Sequence, residues 1–442
     1  MAYCDYLTGL PNKELFLLDF KNVISKNMKT FKNGALIFIN LDNFKDVNYA
    51  MGYFNGDLLL KSFSQIINRT TTNYGTLFRF SGDEFMILVD DIKSISDVEE
   101  LCSNILHHCK DPFEIDKRQV YITVSVGISI FPKDSCDMSE LLKFCDLAMR
   151  QSKAKGKNIY TFFQRYLSHR SSREFLIKQE LKNCIKEKEL SLVYQPQIDA
   201  IENKIVGVEA LLRWNNKRLG SVPPNEFITI AEETGMITII GEWVLEEVCK
   251  NIHKWRYRNY DFNTISINIS PLQIQESNFK DNIIDACYRN KIQPDDLEIE
   301  ITEKILMKID SKKISDLSDL INKSVSVAID DFGAEYSSLN YLMVLPFNTL
   351  KIDRSFILNI DNEKNRAIIE CIINLSKLFK CRLIVEGVET KKQLDILIQL
   401  GCKIIQGYYF SKPIPEEELE NIFLYNQKKN KKKLQFLPGM NM

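Results

Sequence analysis

The sequence has almost no net charge, because 58 lysine and arginine residues are balanced by 59 aspartate and glutamate residues among 442. No overall electrostatic field therefore attracts nucleic acid, and we expect no nucleic-acid partner. The only strongly basic stretch is the C-terminal segment 426–442, which is predicted to be a disordered tail. The composition thus excludes functions that depend on a large basic surface.

The sequence also lacks the cysteine and histidine patterns of zinc sites and disulfide frameworks. Its 11 cysteines are scattered through apolar segments without a Cys-x-x-Cys, and its four histidines are not grouped near them. We interpret the cysteines as reduced and mostly buried, which is typical of a cytoplasmic protein. We therefore expect no zinc site.

Long apolar runs are absent as well. No stretch approaches 18 uninterrupted apolar residues, so no membrane span is predicted. The first residues do not combine a basic region with an apolar core, so no signal peptide is predicted. Both observations agree with the expected cytoplasmic location.

What is present is enough apolar material for two or three folded domains, with 45% hydrophobic and 10% aromatic residues. The periodicity predicts an α/β domain in residues 1–162, a linking segment in 163–178 and a second α/β domain in 173–425. The linking segment is not rich in glycine, proline or serine. We therefore expect a short turn leading into a helix, not a flexible spacer.

Two strands of the first domain end in polar groups, at residues 40–42 and at the tip of a hairpin, 81–84. Carboxylates there could converge to hold Mg²⁺ and a nucleoside triphosphate. Taken alone, the hairpin tip also fits an ordinary solvated turn. The predicted elements of this domain are helices at 12–29, 56–69, 94–110 and 138–153 and strands at 34–42, 77–80, 85–89 and 120–130.

Four motifs in residues 5 to about 160 resemble those of the GGDEF family, the diguanylate cyclases with a polymerase-palm-like fold. In order, they are Asp5-x-Leu-Thr-Gly-Leu-Pro-Asn12, Phe44-Lys45…Asn48…Gly52…Gly56-Asp57, Ser81-Gly82-Asp83-Glu84-Phe85 and Lys153…Gly156-Lys157-Asn158. The resemblance implies GTP and Mg²⁺ as ligands. It implies that Asn48 and Asp57 bind guanine and that Asp83 binds the metal. It also places Glu84 at the signature's catalytic glutamate, and it gives phosphate contacts to Lys45, Lys153 and Lys157.

The first domain departs from that family at a metal ligand. The family's Asp-x-Asp-x-Phe-Lys reads here Asn40-Leu-Asp42-Asn-Phe44-Lys45, and no Arg-x-x-Asp product-inhibition motif precedes Ser81. An amide oxygen can coordinate Mg²⁺ but brings no charge; a charge pair at about 4 Å is worth at most on the order of 4 kcal/mol in a protein-like medium. We expect this domain to bind GTP and to make little or no cyclic di-GMP. Its role is then either regulatory or structural.

The second domain shows eight alternations of strand and helix patterns, which predict a (β/α)8 barrel of the TIM type. An acidic, amide or lysine side chain stands near the end of every strand. Because strand ends of this fold converge on one face, these side chains predict an oxygen-rich pocket suited to Mg²⁺ or Mn²⁺. Each residue taken singly also fits a strand-end cap or ion pair. The strands are predicted at 191–195, 205–211, 264–269, 297–302, 325–330, 348–352, 382–386 and 403–406.

The strand ends carry, in order, the motifs Glu209-Ala210-Leu211, Glu300-Ile-Thr-Glu303, Asp330-Asp331-Phe-Gly333 and Glu386-Gly387-Val-Glu389. Together these motifs resemble those of the EAL family of cyclic di-GMP phosphodiesterases. The resemblance implies two metal ions held by Glu209, Asn268, Glu300, Asp330 and Asp331. Lys351 would act at the reacting phosphate, and Glu386 would hold metal-bound water. Gln195, Arg213 and Gln406 would contact the substrate or the second metal's surroundings.

The loop after Asp331 carries the departure from this second family. Glu303 matches the acid that steadies that loop, but Glu335 replaces a glycine of the usual Asp-Asp-Phe-Gly-x-Gly motif. We expect altered loop dynamics or regulation, with metal binding retained.

The sequence therefore favours a two-metal phosphodiesterase that cleaves cyclic di-GMP to linear pGpG, regulated by a GTP-binding domain and assembled as a homodimer through the barrel. Two alternatives stay open. One is a bifunctional enzyme that keeps cyclase activity, against which Asn40 argues. The other is a receptor that binds cyclic di-GMP without cleaving it, against which the complete set of matched metal ligands argues.

Overall fold

The chain divides into two units, Met1–Phe175 and Leu176–Met442. A computed structural model describes residues 3–30, 32–333 and 342–429 of them. The helix Arg165–Leu181 runs across the division, in the segment where a linking helix is predicted. Among the described residues, no helix has both the length and the apolar character that crossing a membrane requires.

A five-stranded sheet forms the centre of the first unit. Its order is β2-β3-β1-β6-β7, and β7 alone is parallel to its neighbour. The strands are β1 (Gly34–Leu41), β2 (Thr76–Ser81), β3 (Glu84–Val89), β6 (Val124–Phe131) and β7 (Tyr160–Phe162), and a separate hairpin is made of β4 (Phe113–Ile115) and β5 (Arg118–Val120). The helices are Lys13–Thr30, Phe44–Met51, Tyr53–Thr71, Ile95–His108 and Met138–Ala154.

The central strand β1 is buried along its whole length because hydrophobic clusters cover both faces of the sheet. Its side chains alternate between the two clusters: Ile37 and Ile39 pack on one face, and Leu36 and Phe38 on the other. This double coverage explains why the strand reads as an unbroken apolar run.

Two predicted elements of this unit were wrong in their bounds. The helix expected from Gly56 begins at Tyr53 and follows a further short helix. Gly56 lies inside the longer helix. A Cβ atom at this position would come within 2.0 Å of the Asn48 Oδ1 atom, so the lack of a side chain allows the two helices to approach each other. The strand expected at 120–130 is divided, because Val120 pairs in the β4–β5 hairpin, residues 121–123 belong to no strand and β6 begins at Val124.

Eight strands of the second unit close into a barrel, as predicted. Their order around the ring is β8-β9-β11-β12-β13-β14-β15-β16 and back to β8. The strands are β8 (Leu190–Asp199), β9 (Lys204–Asn216), β11 (Thr264–Asn268), β12 (Leu297–Thr302), β13 (Ser326–Phe332), β14 (Thr349–Ile352), β15 (Arg382–Val385) and β16 (Ile404–Ile405), with β10 (Gly220–Val222) and β17 (Ile414–Pro415) added beside them.

The prediction of a helix after every strand was wrong at the first step. Only residues 200–203 connect β8 to β9, which is too short for a crossover to a parallel strand, so β8 runs antiparallel to both of its neighbours.

Helices follow or flank the later strands of the barrel. Those of the described residues are Pro224–Thr234, Met236–Tyr257, Pro271–Gln275, Phe279–Arg289, Glu303–Leu306, Ser311–Asn322, Arg354–Leu358, Glu363–Phe379, Lys391–Leu400 and Glu416–Lys429, and Pro294–Asp296 is a 3₁₀ turn.

A buried ion pair lies inside the barrel near the end where the strands begin. The Glu298 carboxylate is fully buried and accepts two bonds from the Arg382 Nη2 atom, at 2.6 and 2.7 Å. It also accepts a bond of 2.5 Å from the Thr349 hydroxyl. Glu298 thus joins β12 to β14 and β15, and its environment is that of a structural residue.

Replacing Glu298 with alanine is expected to lower the free energy of unfolding of the barrel by about 3 kcal/mol, because Arg382 would lose its carboxylate partner. All three tryptophans, Trp214, Trp243 and Trp255, lie in the second unit, so tryptophan fluorescence during urea unfolding reports on the barrel. Lys217→Ala, which breaks an exposed ion pair with Glu187, is the matched control and should change the stability by less than about 1 kcal/mol. Equal effects of the two variants would contradict the structural role of Glu298.

Candidate functional site

The predicted polar strand ends do converge at one end of the barrel. Seven residues from seven different strands or the turns that follow them take part, and the strand that each one belongs to or follows fixes its place in the ring. They are Glu209 on β9, Asn268 on β11, Glu300 on β12, Asp330 on β13, Lys351 on β14, Glu386 after β15 and Gln406 after β16.

Lys351 stands at the centre of this group, with its side chain fully buried. Its Nζ atom lies 2.6 Å from the Glu386 Oε1 atom, 2.7 Å from Glu300 Oε2 and 3.1 Å from Asp330 Oδ1. A fourth carboxylate oxygen, Glu209 Oε2, lies 3.6 Å away. A single ammonium group therefore faces four acidic side chains in a region from which water is largely excluded.

This imbalance of charge shifts the pKa values of the group. Burial, opposed by Lys351 and reinforced by the neighbouring carboxylates, raises the pKa of Glu386 to about 8. Burial and then the charge of Glu209 raise the pKa of Glu300 well above its usual range. Burial alone would lower the pKa of Lys351, but the surrounding carboxylates raise it instead, so the lysine stays charged.

Glu209 is the carboxylate that is best stabilised as an anion. Its burial is outweighed by the charge of Lys351 and by amide hydrogen bonds, so its pKa is lowered. Asn268 Nδ2 donates to Glu209 Oε1 at 2.8 Å, and Gln406 Nε2 donates to Glu209 Oε2. Gln406 Nε2 also lies 3.2 Å from the Gln195 Oε1 atom, so the amide side chains form a frame around this carboxylate.

Asp330 and Asp331 contribute together although they are consecutive. Neighbouring strand residues normally point to opposite faces, but Asp331 adopts a left-handed conformation with φ of 54°, and the pairing register shifts between Ile329 and Phe332. Each aspartate then offers an oxygen within 4.8 Å of the other and of Glu386. Partial loss of hydration and the charge of Asp330 raise the pKa of Asp331 to about 6. The sequence signals the pair of acids but not the bend that aligns them.

The donor set fits a hard divalent cation. It is made of carboxylate and amide oxygens, which Mg²⁺ and Mn²⁺ prefer. The Oε1 atoms of Glu300 and Gln406 are buried and have no hydrogen-bond partner, which is costly unless a cation or water completes their environment. Five acids against one lysine leave the excess negative charge that such a cation would neutralise.

Three further predicted residues lie outside this cluster. Arg213 is half-buried on β9, and its Nη1 atom donates to the Leu212 carbonyl at 2.8 Å. Glu303 Oε2 accepts a bond of 3.0 Å from the Gly333 backbone N–H, two residues after Asp331, at the start of the loop that Glu303 is predicted to steady. Glu335 lies outside the described residues.

In the first unit, the predicted metal site differs from the barrel site in having fewer charges. Asn40 pairs with Glu84 across β1 and β3, and its Nδ2 atom donates to the Asp83 Oδ2 atom at 3.2 Å. Asp42 is buried and accepts bonds from the Thr123 and Ser125 hydroxyls, at 2.8 and 2.7 Å. Asp42 is thus occupied in a structural role, and an amide hydrogen bond stands where the family has a second acid.

Local contacts describe the surroundings of some predicted nucleotide-binding residues of this unit. Asn48 packs against Gly56, which brings its side chain to the start of the helix that carries Asp57. Lys157 Nζ donates to Asn43 Oδ1 at 2.7 Å, in the turn before Lys45, and Lys153 lies one turn earlier in the chain.

Arg79 holds the hairpin tip of this unit in place. Its Nη1 atom lies 2.8 Å from the Asp5 carboxylate, and its Nη2 atom donates to the Gly82 carbonyl at 3.0 Å. The guanidinium group therefore ties the N-terminal turn to residues 81–84. No motif of the sequence predicts this role of Arg79, although an arginine two residues before the tip at 81–84 is a signal for it.

Comparison with known proteins places both units. The model described as "EAL domain" matches residues 178–413, and the model described as "Diguanylate cyclase, GGDEF domain" matches residues 2–159. The solved structure of the "PaMucR Phosphodiesterase, c-di-GMP complex" has 37% sequence identity and a TM-score of 0.53, and the match covers 55% of this chain and 99% of that one.

Two curated relatives come from Pseudomonas aeruginosa. The "Bifunctional diguanylate cyclase/cyclic di-GMP phosphodiesterase MucR" is 34% identical over 420 residues, and the match covers 95% of this chain and 61% of the relative. The "Cyclic di-GMP phosphodiesterase NbdA" is 35% identical over 421 residues, with 95% and 54% covered. The chain thus spans between half and two thirds of the length of these relatives. It belongs to the EAL domain family and carries a GGDEF domain before its EAL domain.

Proposed function

We propose that the barrel is a phosphodiesterase that hydrolyses one phosphodiester bond of cyclic di-GMP and releases linear pGpG. The observation that carries this proposal is the buried cluster in which Lys351 faces the carboxylates of Glu209, Glu300, Asp330 and Glu386. A site that only bound the dinucleotide would not need so many buried acids, because a phosphodiester is itself an anion. The activities that MucR and NbdA are named for support the same substrate.

Glu209, Asn268, Glu300, Asp330 and Asp331 are the residues that would hold Mg²⁺ or Mn²⁺. When bound, two such ions activate water and stabilise the leaving oxygen in phosphodiester hydrolysis. The water oxygen adds to the phosphorus, the bond from phosphorus to one ribose oxygen breaks, and that oxygen takes a proton.

The chain's own cations and amides act on the substrate in this proposal. Lys351 offers a permanently charged ammonium at the reacting phosphate, and its carboxylate neighbours fix its position. Arg213 offers a guanidinium that suits a non-bridging phosphate oxygen. Gln195 and Gln406 orient the substrate from the amide frame, in which Gln195 Nε2 is itself held by the Ser411 carbonyl at 3.1 Å.

The GGDEF domain is proposed to bind GTP, to regulate the barrel and to make little or no cyclic di-GMP. The domain departs from its family at one predicted metal ligand. Asn40 donates a hydrogen bond to Asp83 at the position where a second carboxylate would help to bind a cation. Asn48, Asp57 and the lysines at 45, 153 and 157 are the residues proposed to bind the nucleotide. Assembly as a homodimer through the barrel stays a prediction.

Replacing Glu209 with alanine should lower the rate of pGpG formation by at least about 100-fold, because the variant loses a carboxylate that is a proposed cation ligand and that two amides hold in place. The measurement is chromatography of pGpG formed by the purified protein with cyclic di-GMP and Mg²⁺ or Mn²⁺. Glu202→Ala, which removes an exposed acid in the turn between β8 and β9, should keep the parent rate. Binding of cyclic di-GMP by the parent without any linear product would instead indicate a receptor.

In the Glu209→Ala background, where product is not degraded, GTP and Mg²⁺ should give no cyclic di-GMP. Adding Asn40→Asp is expected to raise synthesis above the background of the assay, because a carboxylate beside Asp83 restores charge at the cation site. Mass spectrometry of the nucleotide products measures both. Cyclic product from the variant that still carries Asn40 would show that the amide suffices for catalysis.

GTP is expected to increase the rate of pGpG formation, and Asp57→Ala should abolish the increase without changing the rate measured in its absence. ATP serves as the control nucleotide, since the predicted contacts of Asn48 and Asp57 are to guanine. Titration of GTP against the hydrolysis rate gives the result. Binding of GTP with no change in rate would assign the domain a structural role.

A further inference from the structure

Glu386 begins a short segment without regular secondary structure, residues 386–389, that connects β15 to the next helix and that we call the turn after β15. Its backbone N–H donates to the Ile352 carbonyl at 3.1 Å, and its carboxylate lies 2.6 Å from Lys351. The same carboxylate shares the candidate cation site of Asp330 and Asp331. The geometry of this turn therefore determines the position of the Glu386 carboxylate in the candidate cation site.

The turn is packed tightly from two sides. Gly387 has φ of 69°, and a Cβ built on it would lie 2.3 Å from the Cγ atom and 2.6 Å from the Cβ atom of Arg354. On the other side, a Cβ on Gly407 would lie 2.2 Å from the Val388 carbonyl oxygen. The aliphatic part of Arg354 thus rests directly on the backbone next to Glu386.

The guanidinium group of Arg354 continues past Gly387 and binds the far end of the turn. Its Nη2 atom donates to the Glu389 Oε1 atom at 2.6 Å. A second link runs in parallel: Gln393 Oε1 accepts from the Glu389 N–H at 2.9 Å, and Gln393 Nε2 donates to the Ile357 carbonyl at 3.2 Å. Both links join the turn to the helix Arg354–Leu358, which starts three residues after Lys351.

We propose that Arg354 is a positioning residue, which fixes Glu386 relative to Lys351 and the two aspartates and thereby sets the affinity of the site for its divalent cation. The inference rests on the proposed function, because it assigns a purpose to the placement of Glu386. The ion pair with Glu389 is partly exposed and contributes little energy by itself. Its effect is on geometry, because it holds the aliphatic part of the Arg354 side chain against the backbone of Gly387.

The test measures cation affinity and activity separately in the full chain. Mn²⁺ is titrated while the melting temperature is followed, and the midpoint of the shift gives the affinity without substrate. Arg354→Ala should raise this midpoint about tenfold, as loss of an outer-shell partner of a metal site commonly does. Hydrolysis should fall at limiting Mn²⁺ and recover at saturating Mn²⁺, and the melting temperature in chelator should stay at the parent value.

Three further variants sharpen the result. Arg354→Lys keeps the stem and a charge, so it should restore most of the affinity. Glu389→Ala removes only the anchor of the guanidinium and should give a smaller shift in the same direction. Lys392→Ala breaks an exposed ion pair with Asp361, which lies in the turn between the helices Arg354–Leu358 and Glu363–Phe379. It is the matched control, for which no shift is expected.

An unchanged Mn²⁺ midpoint in Arg354→Ala would overturn the inference, and so would an equal shift in Lys392→Ala. A lowered melting temperature of Arg354→Ala in chelator, with no change in the midpoint, would reduce its role to general stability and also overturn it. These outcomes differ from failure of the proposed function, in which the parent itself would show neither a response to Mn²⁺ nor pGpG formation.

Discussion

The contact between the Lys351 ammonium and the carboxylates around it is the interaction on which the barrel site depends. Isolated acids so deeply buried would resist desolvation, and a buried lysine without partners would lose its proton. Together they satisfy each other in part, and the barrel supplies the geometry, because each partner comes from a different strand. The compensation is incomplete, and this residual negative charge is what makes the site suitable for a divalent cation.

The two domains of the chain differ in the groups that stand beside the acids of their candidate cation sites. In the barrel, the acids are retained, and a lysine and two amides support them. In the GGDEF domain, Asn40 donates a hydrogen bond to Asp83, so one acid is stabilised by a neutral neighbour without any ion. Asp42 accepts hydrogen bonds from two hydroxyls, those of Thr123 and Ser125. The two sites therefore differ because residue 40, at the end of β1, has a neutral amide side chain where its family has a carboxylate.

Most of the barrel could be predicted from the sequence because its strands are short apolar runs that each end in a polar residue. The direction of β8 could not, because apolar periodicity carries no information on strand polarity, and only the short link at 200–203 hinted at it. Glu298 and Glu300 show a second limit. They lie two residues apart on β12 and face the same interior, but one binds Arg382 and the other Lys351. Periodicity places both inside and cannot state which end of the barrel each one reaches. The bend at Asp331 is a third limit, since it depends on a register shift between strands.

The antiparallel strand β8 has a consequence for the order in which the molecule is made. It pairs with β9 directly after it and with β16, whose residues Ile404 and Ile405 are synthesised about two hundred positions later. Until then the barrel strands cannot close into a ring, whereas the residues of the GGDEF domain have all been synthesised already. Gln406, which completes the amide frame around Glu209, follows the closing strand immediately. Ring closure and completion of the candidate site therefore depend on the same late residues, so the amide frame around Glu209 cannot form before the closing strand has been synthesised.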